Sequence, residues 1–157
     1  MTRVWRISAA AYVNRIFTGE GAYRYGGRWN SPGHAVVYMS ESLSLCALET
    51  LTHMVKMHMM QGYKCVWVEI PDELITIVEP EALPADWRAV PASKSTKKIG
   101  DEWLSSQRTP VLKVPSTVIP VENNFVLNPS QPVFDELTIG DVQDFEFDER
   151  LLSNSSQ

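Results

Sequence analysis

Gly26-Gly27-Arg28-Trp29-Asn30-Ser31-Pro32-Gly33 is the stretch from which the architecture of this chain can be read. It lies within a segment from Thr18 to Gly33 that holds five glycines and one proline, so no regular element is expected there. Large aromatic and cationic side chains are interleaved with those glycines. A segment of this kind predicts a loop built around a ligand, and the apolar run Ala35-Val36-Val37-Tyr38-Met39 after it predicts a buried strand.

On either side of this stretch, short apolar runs are more frequent than helical patterns. A helix is predicted to start at Ser40-Glu41-Ser42, with the hydroxyl as cap, Glu41 in the first turn and most of its surface buried. Further helices are predicted at 9–17 and 99–107, and strands at 4–7, 63–70, 75–78, 111–114, 124–129 and 146–148. Many short strands with few helices predict an α+β fold.

Composition restricts the class of protein. The chain has 157 residues, 44% hydrophobic and 21% charged, which predicts one globular domain with a core of its own. A net charge of −5 argues against non-specific nucleic-acid binding. The N-terminus lacks the apolar run of a signal peptide and no segment is long enough to span a membrane, so a soluble cytoplasmic protein is expected. Cys46 and Cys65 are predicted to be small buried hydrophobic residues.

Three common kinds of catalytic site are absent from the sequence. The three histidines form no HExxH motif and the two cysteines no CxxC pair, so no metal is expected. There is no Gly-x-Ser-x-Gly elbow and no P-loop or Rossmann glycine pattern. Glu49 and His53, four residues apart, are explained by a salt bridge along one helix.

Four polar residues in apolar surroundings remain as candidates. Arg28 follows two glycines and suits a diphosphate, or else forms a structural salt bridge. Tyr38 ends an apolar strand, where it stacks on a flat ring or only packs with its hydroxyl satisfied. Glu49 lies in the apolar stretch Cys46-Ala47-Leu48-Glu49-Thr50-Leu51. Burying a carboxylate there costs free energy, unless the carboxylate is functional or paired with an arginine. Ser116 follows a strand and orients a ligand or caps a turn.

Together these groups suit an anionic nucleotide that carries an aromatic ring. An arginine for a diphosphate, an aromatic ring for a flat base and a carboxylate for a developing positive charge are the parts needed to break a nicotinamide–ribose bond. That cleavage passes through an oxocarbenium-like state, as glycoside hydrolysis does.

The same residues resemble the RES-domain family, which is named for an arginine, a glutamate and a serine that match Arg28, Glu49 and Ser116. The resemblance runs nearly the full chain, and no single motif carries it alone. Its pieces, in order, are Trp5-Arg6, Gly26–Gly33, Val36-Val37-Tyr38, Ala47–His53, Leu83–Trp87, Ile99–Trp103, Val114-Pro115-Ser116, Asn124–Pro129 and Phe147–Leu151. In one departure, Gln131 stands where the family often shows a histidine.

The resemblance implies a single RES domain over 1–152, with 153–157 as a flexible tail. The implied fold is ADP-ribosyltransferase-like, with a split β core, a few flanking helices and an NAD+ pocket in the cleft. Arg28 would hold the diphosphate or ribose side of NAD+, and Tyr38 would pack on nicotinamide or the adjacent ribose. Glu49 would stabilise the ribosyl cation and could activate an acceptor, and Ser116 would orient the substrate. Arg6 and Asn124 are further candidates for the pocket. NAD+ is the expected substrate, and no metal is expected.

The resemblance also implies a toxin of a bacterial type II toxin–antitoxin system that depletes NAD+ by hydrolysis or phosphorolysis. Its partner would be an Xre-like helix-turn-helix antitoxin, with Trp29, Phe145 and Phe147 as docking points if they are not core. One alternative is a mono-ADP-ribosyltransferase that modifies a target protein. A catalytically inactive antitoxin-binding module is another, although Arg28 and Glu49 are present. A toxin that cleaves RNA would need a basic face to bind it, and the net charge of −5 argues against such a face.

Overall fold

The computed structural model describes residues 1–53, 62–131 and 136–152. The helices are α1 (Glu20–Tyr25), α2 (Leu43–His53), α3 (Lys94–Ser106) and α4 (Glu149–Leu152), and short 3₁₀ turns cover Ala10–Arg15, Asp72–Leu74 and Pro80–Ala82. The strands are β1 (Thr2–Ala9), β2 (Val37–Ser40), β3 (Tyr63–Ile70), β4 (Ile75–Ile77), β5 (Val111–Pro115), β6 (Asn123–Leu127), β7 (Thr138–Ile139) and β8 (Gln143–Phe145). The prediction of an α+β fold is confirmed.

The strands form one mixed sheet in the order β4-β5-β6-β2-β1-β3-β7, with β8 also paired to β3. β1 and β3 pair along their whole length, from Thr2 opposite Ile70 to Ala9 opposite Tyr63. By contrast, β1 and β2 are joined by a single residue pair, Trp5 and Ser40. The sheet therefore divides into two halves between β1 and β2, as expected for a split β core.

Arg6 fills the gap at this division. Its Nη1 donates to the carbonyl oxygen of Tyr38 at 2.9 Å, and its Nε donates to the carbonyl oxygen of Ile16 at 2.7 Å. Burial lowers the pKa of Arg6, while the nearby Cys46 thiol acts in the opposite direction. The guanidinium thus satisfies backbone acceptors where the strand ladder has opened, because unpaired carbonyls inside a protein are costly.

Side chains alternate between the two faces of the sheet. One face carries a core of aliphatic and aromatic residues that includes Val4, Met39, Val68 and Phe125. The opposite face carries two separate clusters, one with Trp29, Trp103, Leu112 and Val126, the other with Ile7, Cys46, Tyr63 and Cys65. Trp103 belongs to α3 and Cys46 to α2. These two helices therefore lie on the same face, and the region between them, called here the cleft, holds side chains of β2 and β6 that include Tyr38 and Asn124.

The segment expected to be a loop contains the short helix α1. Gly19 and Gly26 flank this helix with φ of 71° and 72°, the left-handed region that favours glycine. Only Gly21 lies inside it. The prediction that no regular element forms here was wrong. Two of the five glycines lie at the two ends of a helix, Gly19 before it and Gly26 after it, and do not prevent it from forming.

Other boundaries also differ from the prediction. α3 begins at Lys94 and not at Ile99, since Ser93 and the polar residues after it form its first turns. The last strand is Gln143–Phe145, so the strand predicted at 146–148 is wrong. α2 is less buried than expected, with only Leu45 and Cys46 fully buried, and Glu41 precedes it and accepts a hydrogen bond from Asn123. Where a helix is predicted at 9–17, the structure has the 3₁₀ turn Ala10–Arg15.

Several expectations are confirmed. β3 spans 63–70 as predicted, Trp103 points inward, and both cysteines are free and buried. Trp29 is core, with 2% of its surface exposed, while Phe145 and Phe147 are half-buried and pack edge-to-face on each other. The tail 153–157 and the residues Met54 and Val55 lie outside the described residues.

Gly100 lets α3 approach the loop that precedes β2. A Cβ atom at position 100 would lie 1.5 Å from the carbonyl oxygen of Trp29. We expect Gly100→Ala to lower the free energy of unfolding by about 1–3 kcal/mol, since overpacking outweighs the better helix propensity of alanine. The control is Gly21→Ala in α1, where nothing lies within 4 Å and a small gain is expected. Urea unfolding of both variants measures the difference, and equal effects would contradict the close approach.

Arg6 provides a second test of the fold. Arg6→Lys keeps a positive charge but loses the fork that reaches two carbonyls, so we expect it to lower the free energy of unfolding by about 1–3 kcal/mol. Arg24→Lys, at an exposed ion pair with Glu20, should change it by less than about 0.5 kcal/mol. Chemical denaturation measures both. Unchanged stability of Arg6→Lys, together with weaker substrate binding, would place Arg6 in the pocket and not in the sheet.

Candidate active site

Glu49 is a half-buried carboxylate of the cleft. It lies on α2, whose first turn is capped by Ser42, the hydroxyl of which accepts a hydrogen bond from the Leu45 amide at 3.0 Å. Its Oε1 atom accepts two hydrogen bonds, from the Ser116 hydroxyl at 2.6 Å and from the Asn124 amide at 2.8 Å. The carboxylate therefore ties α2 to the ends of β5 and β6.

Ser116 is oriented by the turn that follows β5. It is fully buried, and its hydroxyl accepts hydrogen bonds from the amides of Val118 at 3.1 Å and Ile119 at 3.0 Å. A hydroxyl has one hydrogen to donate. Because two amides occupy its acceptor side, that hydrogen is directed at Glu49.

Asn124 is held from its other end by Ser40. The Ser40 hydroxyl, 3% exposed, donates to Asn124 Oδ1 at 2.7 Å, which leaves the amide nitrogen to donate to Glu49. No described residue donates a hydrogen bond to the second oxygen of Glu49, Oε2. One carboxylate oxygen is thus fixed by the protein and the other is available to a ligand.

Tyr38 directs its hydroxyl into the glycine-rich loop. The hydroxyl donates to Asn30 Oδ1 at 2.6 Å and accepts from the Trp29 amide at 3.0 Å. Burial raises the pKa of Tyr38, so the hydroxyl stays protonated and keeps both bonds. A Cβ atom at Gly27 would lie 2.5 Å from this hydroxyl, so the loop passes directly over the ring. Only the remaining surface of the ring is free to contact a ligand.

Arg28 is held by backbone carbonyls. Its Nη1 donates to Trp87 at 3.0 Å and to Ala89 at 2.7 Å. No carboxylate of the described residues lies within salt-bridge distance of it, so the alternative of a structural ion pair is not observed there. Partial burial lowers the pKa of Arg28, and the negative charge of Glu49 opposes that shift. The guanidinium is therefore near enough to Glu49 to act on it electrostatically without pairing with it.

Helix α3 fixes the loop that carries Arg28. Asp101 accepts hydrogen bonds from the Ser31 amide at 3.0 Å and the Ser31 hydroxyl at 2.5 Å, and Lys97 donates to the carbonyl of Gly27. Asn30, fully buried, donates to the carbonyls of Ala22, Ser31 and His34. Sequence reasoning assigned no role to Asp101, Lys97, Asn30 or Ser40, although Asp101 lies in one of the motifs quoted above.

The structure brings Ser116 and Asn124 into direct contact with Glu49, and it places Arg28 in the glycine-rich loop and Tyr38 in β2, with its hydroxyl bonded to that loop. Arg6 contacts the backbone of Tyr38, as described above. The predicted salt bridge between Glu49 and His53 does not form, because the carboxylate points at Ser116 and the His53 ring contacts the Glu49 carbonyl instead.

Neither a metal site nor a membrane span was found among the residues that the structure describes. No group of three or more histidine, cysteine, aspartate or glutamate side chains is placed to hold an ion there. None of the helices in those ranges is long and apolar enough to cross a bilayer. The site described here therefore offers one carboxylate, one guanidinium and a set of oriented hydroxyl and amide groups.

Comparison with known proteins gives consistent matches. The family model for the RES domain matches residues 3–148. A Yersinia enterocolitica protein named Toxin Res is 41% identical over 94% of this chain and 98% of its own length. A Sphingobium protein named Prs ADP-ribosylating toxin is 36% identical over 96% of this chain and 97% of its own length.

A solved structure shows the same fold at low sequence identity. The crystal structure of the M. tuberculosis MbcT–MbcA toxin–antitoxin complex matches with a TM-score of 0.72 at 18% identity, over 92% of this chain and 84% of that one. This likeness agrees with the expected ADP-ribosyltransferase-like fold. On the family match and the full-length relatives, the chain belongs to the RES-domain family.

Proposed function

We propose that this protein is a toxin enzyme that cleaves the nicotinamide–ribose bond of NAD+. The observation that carries the proposal is Glu49, whose Oε1 is fixed by Ser116 and Asn124 while Oε2 has no donor among the described residues. A carboxylate positioned in this way is preorganised for a positive charge that develops in the transition state. The names of the full-length relatives, Toxin Res and Prs ADP-ribosylating toxin, support both the toxin role and this chemistry.

In the proposed reaction, the bond between C1′ of the ribose and the nicotinamide nitrogen breaks. Its electron pair goes to that nitrogen, which neutralises the pyridinium ring, and positive charge develops on C1′ and the ring oxygen of the ribose. Glu49 stabilises this oxocarbenium-like centre through Oε2. An acceptor oxygen then bonds to C1′ and loses its proton, so that water gives ADP-ribose and phosphate gives its 1-phosphate ester.

Arg28 binds the anionic part of NAD+ in this proposal. Its charge is matched only by carbonyl dipoles, and a phosphate oxygen is a stronger acceptor for a guanidinium than a carbonyl is. The Nη2 and Nε atoms have no acceptor among the described residues. Tyr38 offers ring surface to the nicotinamide, while Ser116 and Asn124 contribute by holding Glu49.

A second candidate is transfer of ADP-ribose to a protein, and the name of the Sphingobium relative favours it. Both reactions share the first step and differ in which nucleophile reaches C1′. We propose depletion of NAD+ as the main function, because the roles proposed for Glu49 and Arg28 account for the first step and need no protein acceptor.

An antitoxin partner is part of the proposal. The solved neighbour is a toxin–antitoxin complex, and the resemblance to RES-domain toxins points to an Xre-like helix-turn-helix protein as the antitoxin. Such a pair would act in the cytoplasm, where NAD+ is available. The third reading, an inactive antitoxin-binding module, is disfavoured because Arg28, Glu49, Ser116 and Asn124 are all present and hydrogen-bonded.

Glu49→Gln tests the proposal directly. Glutamine can still accept hydrogen bonds from Ser116 and Asn124, so the cleft should keep its shape while the negative charge is lost. We expect nicotinamide release from NAD+ to fall by about 100-fold or more, in line with loss of a preorganised charge-stabilising group. The assay is the purified protein with NAD+, with separate measurement of nicotinamide, ADP-ribose, its phosphate ester and ADP-ribose attached to protein.

The matched control is Glu102→Gln, at an exposed glutamate on the outer part of α3, which should leave turnover unchanged. Free ADP-ribose or its ester as product supports depletion, whereas label on a protein from cell extract supports the transferase. No nicotinamide release by the wild-type protein in either assay would contradict both.

Arg28→Ala tests how the substrate is bound. Loss of a charge-assisted contact worth about 1.5–3 kcal/mol should raise the KM for NAD+ by tenfold or more, with a smaller change in kcat. Arg24→Ala, at an exposed ion pair, serves as the control and should leave both constants unchanged. A KM that does not move in Arg28→Ala would assign the residue to holding the Trp87–Ala89 backbone.

A further inference from the structure

The segment 84–93, called here the strap, runs beside the cleft. It is held at three points. Arg28 binds the carbonyls of Trp87 and Ala89, Asp86 accepts a hydrogen bond from Ser95 at 2.6 Å, and Arg88 Nη2 donates to the carbonyl of Thr117 at 3.1 Å. The strap therefore connects the glycine-rich loop with the turn that follows β5.

Arg88 lies between the two groups proposed to handle the substrate. The two carbonyls that Arg28 binds belong to the residues on either side of Arg88, which brings the Arg88 backbone next to the Arg28 guanidinium. The Arg88 side chain then reaches Thr117, the neighbour of Ser116, whose hydroxyl is 2.6 Å from Glu49. Its guanidinium is thus hydrogen-bonded to the residue that follows Ser116, the hydroxyl donor to Glu49.

The charge on Arg88 is not neutralised by the described residues. Four other surface arginines each form a salt bridge with a carboxylate, namely Arg3, Arg15, Arg24 and Arg150. Arg88 is exposed, its side-chain hydrogen bond goes to a backbone oxygen as those of Arg28 do, and its guanidinium carbon lies 6.0 Å from the centre of the Trp87 ring. In a chain of net charge −5, the strap thus links two arginines that have no carboxylate partner among the described residues, which suits an anion.

We propose that Arg88 is a second phosphate-binding arginine of this cleft, one that acts together with Arg28. The ligand is a phosphate group, either of the dinucleotide or of the phosphate that accepts the ribosyl group. The hydrogen bond to Thr117 uses one hydrogen of Nη2, so the other N–H groups of the guanidinium remain to donate to phosphate oxygens. The inference rests on the proposed function and names a further residue that selects its substrate.

The test compares Arg88→Gln, Arg88→Lys and the control Arg108→Gln, at an exposed arginine beyond the C-terminal end of α3. Binding of ADP-ribose to the purified protein is measured by titration calorimetry, which needs no turnover. We expect Arg88→Gln to raise the Kd tenfold or more, Arg88→Lys to raise it less, and Arg108→Gln to leave it unchanged. A second arm measures nicotinamide release against the concentrations of NAD+ and of inorganic phosphate.

The two arms separate the sources of the phosphate group. A raised Kd for ADP-ribose with a raised KM for NAD+ identifies the dinucleotide, and a raised KM for inorganic phosphate alone identifies the acceptor. Equal constants in wild type and Arg88→Gln would overturn the inference even if the wild type cleaves NAD+. A lower unfolding temperature with lower kcat and unchanged binding constants would also overturn it, since a residue that only holds the strap would behave in this way. ADP-ribose binding without any turnover would instead contradict the proposed function and leave Arg88 as a phosphate ligand.

Discussion

The two hydrogen bonds to Oε1 of Glu49 are the interaction on which the cleft depends. They join α2, which packs on β1 and β2, to the end of β5 and the start of β6. A carboxylate among apolar residues is costly unless its oxygens have partners, and here one oxygen takes both donors. The result is a carboxylate that is stabilised within the fold and still presents one oxygen to a substrate.

The glycine-rich loop is prepared in a comparable way from the other side. Gly27 admits the Tyr38 ring, Gly100 admits the carbonyl of Trp29, and Asp101 fixes Ser31. Each contact restricts the conformation of the backbone around Arg28 before a ligand binds. Preorganisation of this kind reduces the entropy that binding would otherwise cost. The small residues in the motif are therefore explained by packing between α3, the loop and β2.

The sequence allowed predictions where neighbouring residues alone determine the structure or mark an unusual side chain. Apolar alternation predicted β3, and apolar surroundings marked Glu49 as unusual. The helix α1 was missed because glycines that end a helix look the same in sequence as glycines that prevent one. Asn124 and Ser116 could be proposed from the family resemblance, but their shared contact with Glu49 joins residues 67 and 75 positions apart in sequence. The roles of Ser40, Lys97 and Asp101 depend on similar long-range contacts, which no local spacing encodes.

Arg28 and Arg88 show why the partner of a charged group matters as much as the charge. An arginine in a salt bridge is already paired with a carboxylate. A phosphate that binds this arginine would have to displace the carboxylate and leave it without a partner. An arginine bonded to carbonyls keeps its position and its full charge. A phosphate can then accept hydrogen bonds from the arginine, in place of the carbonyls or in addition to them, and no carboxylate loses its partner. Acidic residues pair with four arginines elsewhere on the protein and with neither Arg28 nor Arg88, which is consistent with a cleft that selects an anionic substrate.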